Sequence, residues 1–187
     1  MKGSLVQRDT HMIMKHRIAL LSASLILSAV PSTAFAADAT ATAEIGATVL
    51  TPISISKSAD LNFGSFAADA DQSGTVVIAT NSGRTFTGGT SAISTDAGTV
   101  TAASFDVTGQ GTATFSITLP SSNVTLTRAT GTETMSVGTF VSNPSGTGTL
   151  TAGAATVAVG ATLSVAAGQV AGTYSNASGL PVVVAYN

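Results

Sequence analysis

An all-β fold, an antiparallel β-sandwich of immunoglobulin-like or pilin-like type in one domain, is what this sequence predicts, and three observations predict it. Apolar residues recur at every second position from Ala39 onward. Turn-forming residues interrupt these runs at short intervals, and no helical stripe is visible in the same stretch.

The residues before Ala39 read differently. Lys15, His16 and Arg17 form a basic cluster, the run from Ile18 to Val30 is almost wholly apolar, and Pro31 breaks it. Ala34-Phe35-Ala36 then supplies small residues at the two positions a signal peptidase reads. Residues 1–36 are therefore expected to be a signal peptide and residues 37–187 the β-sandwich domain. Met1 to Ile13 fit no signal pattern, and Met12 and Met14 suggest a misplaced translation start. The apolar run falls short of the ~20 residues a spanning helix needs, so no membrane span is expected. The product is expected in the periplasm, at the cell surface or outside the cell.

Composition narrows the function. The domain carries only Lys57, Arg84 and Arg128 against Asp38, Glu44, Asp60, Asp69, Asp71, Asp96, Asp106 and Glu133, which argues against nucleic acid as a partner. The chain has no Cys, and both histidines, His11 and His16, precede the expected cleavage point. The domain thus lacks the usual soft-metal ligands, general base and thiol nucleophile. No enzyme activity, catalytic residue, metal or cofactor is expected. Its stability must come from core packing and sheet hydrogen bonds without disulfides.

The strands follow from alternation. Ala113, Phe115, Ile117 and Leu119 face one side of a strand over residues 112–119, with Thr112, Thr114, Ser116 and Thr118 on the other. Val157, Val159, Ala161, Leu163 and Val165 repeat the scheme, as do Phe105 with Val107, Val124 with Leu126, and Met135 with Val137. Turns are predicted at Asn81-Ser82-Gly83, Gly88-Gly89, Asp96-Ala97-Gly98, Gly109-Gln110-Gly111, Pro120 to Asn123, Asn143 to Gly146 and Gly168.

The two ends are the most informative. Ala39, Ala41, Ala43, Ile45, Ala47 and Val49 alternate with mostly polar neighbours until Pro52. This run reads either as the first strand of the domain's own sheet or as a donor strand for a neighbouring subunit. Leu180, Val182, Val184 and Tyr186 form a last alternating strand, which needs an edge partner from its own domain, a chaperone or a second subunit.

Two weaker patterns remain. Asp69-Ala70-Asp71-Gln72-Ser73-Gly74 opens like a calcium loop, but Thr80 stands where the twelfth-position Glu belongs, so a solvated acidic turn is expected. Asp106 and Glu133 could form a carboxylate pair, although nothing in their spacing requires it.

The series Leu61-Asn62-Phe63-Gly64, Ser73 to Val76, Gly83-Arg84-Thr85, Ala103 to Gly109, Val159 to Leu163, Gly172-Thr173-Tyr174 and Val184-Ala185-Tyr186-Asn187 resembles a bacterial secreted family catalogued as domain of unknown function 4402. That family is similar in layout to spore-coat-protein-U-like domains and chaperone–usher pilins. The resemblance implies a secreted or cell-surface structural or adhesive subunit, a fimbria-like fibre or coat assembled by strand exchange. Ala41, Ala43, Ile45, Ala47 and Val49 would be the donor-strand positions, and Val182, Val184 and Tyr186 those contacted by a periplasmic chaperone or edge strand. The missing cysteines depart from many pilins. A monomeric secreted domain binding a carbohydrate or another surface ligand is the alternative; the absence of Trp removes the usual sugar-stacking platform.

Overall fold

The computed structural model describes residues 38–95 and 97–187, so the expected signal segment and Asp96 of the turn at 96–98 lie outside the described residues. The chain divides into two units, Met1–Gly46 and Ala47–Asn187. Of the first, residues 38–46 are described; they form no strand and are exposed throughout.

The second unit is built from strands alone: β1 (Ser54–Ala59), β2 (Phe66–Ala68), β3 (Gly74–Ile78), β4 (Arg84–Gly88), β5 (Thr90–Ala92), β6 (Ala103–Thr108), β7 (Thr114–Thr118), β8 (Val124–Arg128), β9 (Thr134–Asn143), β10 (Thr147–Thr149), β11 (Ala154–Val165), β12 (Tyr174–Ser175) and β13 (Val183–Tyr186). Every pairing is antiparallel. The predicted all-β sandwich is what the chain forms.

Strand β11 organises the larger sheet. One of its edges pairs with β6 over Ala154–Val159 and then with β3 over Ala161–Val165. Its other edge pairs with β9, which continues to β8 and β12. Strand β1 flanks β6, and β4 flanks β3. Gly160 stands where the partner changes, and a side-chain carbon there would strike the Ile78 carbonyl oxygen, so only glycine lets the two partners meet end to end. A smaller sheet, β10-β7-β13, forms the opposite layer, and β2-β5 is a separate ribbon.

The core has two lobes. Phe105, Val107, Phe115, Ile117, Leu150, Val157 and Val159 fill the space between the two layers. Val76, Ile78, Met135, Val137, Ala161, Leu163 and Val165 line the other half of the large sheet, covered by Phe63. Both lobes draw on Val157, Val159, Ala161, Leu163 and Val165 of β11, whose exposures run from 0% at Val157 to 3% at Val165. Strand β9 serves the second lobe through a bulge: Gly160 faces Val141 and Thr162 faces Gly138, so two residues of β9 stand opposite Ala161. The extra residue reverses the phase, bringing Phe140 against the core and leaving Val141 47% exposed. Thr139 absorbs the bend at φ 49°, a strained setting for a β-branched residue.

Over the second lobe no strand of the smaller sheet is present. An irregular segment over residues 61–65 takes its place, pinned by Arg84, whose guanidinium donates to the carbonyls of Phe63 (2.8 Å) and Ser65 (3.0 Å) while stacking 4.8 Å over the Phe86 ring. Asn62 Oδ1 accepts from the Gly64 amide at 2.9 Å, with Gly64 at φ 70°. On the outer face, Thr87, Thr75, Ser164, Ser136 and Thr125 stand in register across β4, β3, β11, β9 and β8. This hydroxyl row keeps the wet face polar with almost no charge.

Phe115 is fully buried, and its ring occupies the space a side chain at Gly148 would need. Phe115→Ala is expected to cost about 3–5 kcal/mol. A urea melt should show the midpoint lowered at unchanged slope; an unshifted midpoint would mean that this lobe does not hold the two layers together.

Candidate functional site

Among the described residues, each layer ends in a strand with one edge that takes no sheet partner, and the two edges lie on the same side of the second unit. Strand β1 is the last of the large sheet beside β6, and β13 the last of the small sheet beside β7. Ile53 and Ile55 from one side, and Val182, Val184 and Tyr186 from the other, pack against the same core lobe. No ladder hydrogen bond joins β1 to β13. The side chains of Val182, Val184 and Tyr186 are half-buried, whereas Val183 is 59% exposed. The seam between β1 and β13 is thus bordered by two rows of backbone groups with no sheet partner among the described residues.

One end of the seam is closed by a single hydroxyl. Tyr186 Oη accepts from the Gln110 amide at 2.6 Å and donates to the Thr51 carbonyl at 2.7 Å, while the Thr51 amide donates to Gln110 Oε1 at 3.2 Å. Gly109 makes room for the ring edge: a side chain there would strike the hydroxyl. The end of β13 therefore meets the start of β1, and the two strands run in opposite directions.

At its other end the seam opens into a cleft of about 1090 Å³, bordered by Ala59 and Leu180. Its floor is Val124, Leu126, Met135 and Val137, and Leu61 and Phe66 form one wall. This exceeds the size usual for small-molecule pockets, about 300–1,000 Å³. A strap over residues 169–180 forms the other wall. Two-residue β12 anchors it to β8, assisted by Gln169 Nε2 donating to Tyr174 Oη (2.7 Å), Tyr174 Oη donating to the Val170 carbonyl (2.6 Å) and Asn176 Nδ2 donating to the Thr125 carbonyl (2.7 Å). Asn176 Oδ1 is buried without a partner, so the strap is incompletely satisfied.

Arg128 braces the strap. Its guanidinium forks onto Glu133 at 2.7 and 3.3 Å, and its stem packs under Gly172. The hydrogen bond from Arg128 holds the Glu133 carboxyl below its ordinary range, and Glu133 raises the Arg128 guanidinium in turn. The Lys57–Asp60 pair at the cleft mouth, 2.6 Å long, is exposed and stabilises little.

The sequence-derived candidates fall into separate groups. Val182, Val184 and Tyr186 line the seam. Ala41, Ala43 and Ile45 in the first unit, and Ala47 and Val49 in the second, are exposed and belong to no strand; Ile45 is 100% and Val49 96% exposed. The reading of Ala39–Val49 as the first strand of its own sheet is therefore corrected: that sheet begins at Ser54, beyond Pro52. Asp69 Oδ1 caps its own turn, accepting from the amides of Asp71 (2.8 Å) and Gln72 (3.0 Å). Asp106 accepts from Thr156 on the outer face of β6 and Glu133 is engaged by Arg128, so these carboxylates serve different partners. Sequence reasoning did not find the Thr51–Gln110 partnership of Tyr186 or the cleft; the only available signal was a tyrosine in a chain holding two.

Because the Glu133 carboxyl is held below its ordinary range, the Arg128–Glu133 contribution is complete above that range and is lost as pH falls through the lowered folded value. Protection of the amides at residues 171–174, taken as the measured exchange rate relative to the intrinsic rate at each pH, should fall on acidification, and Glu133→Gln should remove the pH step; an identical step in that variant would assign it to another group. No helix among the described residues is long and apolar enough to cross a membrane. Neither the curated proteins nor the solved structures include a match to this chain. Residues 53–186, from the first core residue before β1 to the seam tyrosine, match the family described as Domain of unknown function (DUF4402), and the chain belongs to that family.

Proposed function

We propose that this protein is an exported structural subunit that assembles by strand exchange into a surface fibre or coat. The observation that carries the reading is the open seam between β1 and β13, over a core lobe that both strands share. An added strand would gain main-chain hydrogen bonds along a free edge of the seam, and its alternate side chains would face the lobe. Ala41, Ala43, Ile45, Ala47 and Val49 supply that pattern with small side chains on an exposed stretch. A periplasmic chaperone reading Val182, Val184 and Tyr186 would shield the same edge before assembly. Export rests on the basic cluster, the apolar run and the Ala34-Phe35-Ala36 site.

The cleft favours a second reading, a monomeric secreted domain that binds an amphiphilic or carbohydrate ligand. Light scattering and negative-stain microscopy of residues 37–187, with and without the segment before Thr51, distinguish the two. Filaments or ladders that vanish on truncation are expected. A full-length monomer that stays folded after truncation would leave the segment without an assembly role and favour the ligand-binding domain.

A further inference from the structure

The alternating run Ala39–Val49 could close the seam of its own chain or that of another, and the turn geometry at Thr51–Ile53 discriminates between them. We propose that Pro52 and the Tyr186 hydroxyl latch prevent the run from folding back on its own β1, so that the seam is filled only by residues 41–49 of a second copy. This rests on the strand-exchange reading and adds the partner and the device that selects it.

A run returning from Leu50 alongside β1 would be antiparallel to it, with directly opposed residues on one face. Ile53 and Ile55 are the residues at the start of β1 that pack against the core lobe, before the bulge between Lys57 and Ala59. To join them, odd-numbered residues of the run must stand opposite odd-numbered residues of β1, which requires a loop with an odd number of residues. An even loop turns Thr48 and Glu44 inward and Val49, Ala47 and Ile45 outward, because a slip of one residue exchanges the faces.

Odd loops are obstructed by the residues present. A three-residue hairpin loop closes with its third residue in the left-handed region. With Leu50-Thr51-Pro52 that residue is Pro52, whose ring fixes φ negative. With Thr51-Pro52-Ile53 it is Ile53, a β-branched residue for which positive φ is an outlier, and one that packs against the core. Five-residue loops remove either Ile53 or Val49 from the paired stretch. Thr51, preceding proline, is restricted to extended backbone. Its amide and carbonyl are both engaged, by Gln110 Oε1 and by Tyr186 Oη. The chain is thus pinned where a return would have to turn.

A strand from a second copy has no turn to make and can lie antiparallel to β13. Tyr186 is accordingly a positioning residue: its ring belongs to the core lobe, and its hydroxyl directs the run outward.

The chain contains no cysteine, which permits a direct test. Thr48→Cys and Val183→Cys are placed in one chain and joined with a short bismaleimide, with the latch intact and with Pro52→Gly and Tyr186→Phe, singly and together. Circular dichroism establishes that each variant is folded, and Pro52→Gly, at an exposed position, serves should the tyrosine variant unfold. With the latch intact the expected product is an interchain ladder; without it the ladder is lost to an intrachain monomer. An intrachain product from the latched chain, or a ladder unchanged in the folded latch variants, overturns the proposal. Absence of both products overturns the strand-exchange reading itself.

Discussion

Every strand of the large sheet reaches the rest of it through β11. One of its edges is divided between β6 and β3, the other is held by β9, and its odd positions enter both core lobes. Two partners can share one edge only if their ends meet without a side chain between them, which Gly160 provides. A small domain without disulfides depends on such a shared strand, because hydrophobic burial and ladder hydrogen bonds must supply its cooperativity. The bulge in β9 has the same origin: a long partner strand must follow the twist and still present Phe140 to the core.

The arrangement leaves the sandwich uneven. Around the first lobe the layers face one another, whereas over the second an irregular segment fixed by Arg84 and a strap braced by Arg128 replace a second sheet. Two of the three cations in residues 37–187 thus serve to fix irregular backbone, each through a guanidinium with several donors in a fixed plane. The cleft and the open seam are the two places where this unevenness reaches the surface. Burial is incomplete there, and an added strand or ligand would gain the most.

Much of this was legible in the sequence. Strict alternation placed Phe105, Val107, Phe115, Ile117, Val157, Val159, Leu163 and Val165 on the core face, and the structure buries all of them. The turns at Asn81-Ser82-Gly83 and Gly88-Gly89 bracket β4 as positive-φ residues should, with Ser82 at φ 63° and Gly88 at φ 58°. The bulge at Thr139 was not legible, because a single inserted residue is recognised only against its partner strand. The position of Ala39–Val49 was not legible either: alternation states that a run suits a sheet, not which sheet.

The sequence by itself determined the fold class and the identity of the inward faces, since each depends on residue type and local period. Only the tertiary structure decided that β1 and β13 border one seam, that Tyr186 ties Thr51 to Gln110 across it, and that the cleft lies at its far end. Those features join residues far apart in the chain through hydrogen bonds and edges, and no local pattern encodes which edge is left without a partner.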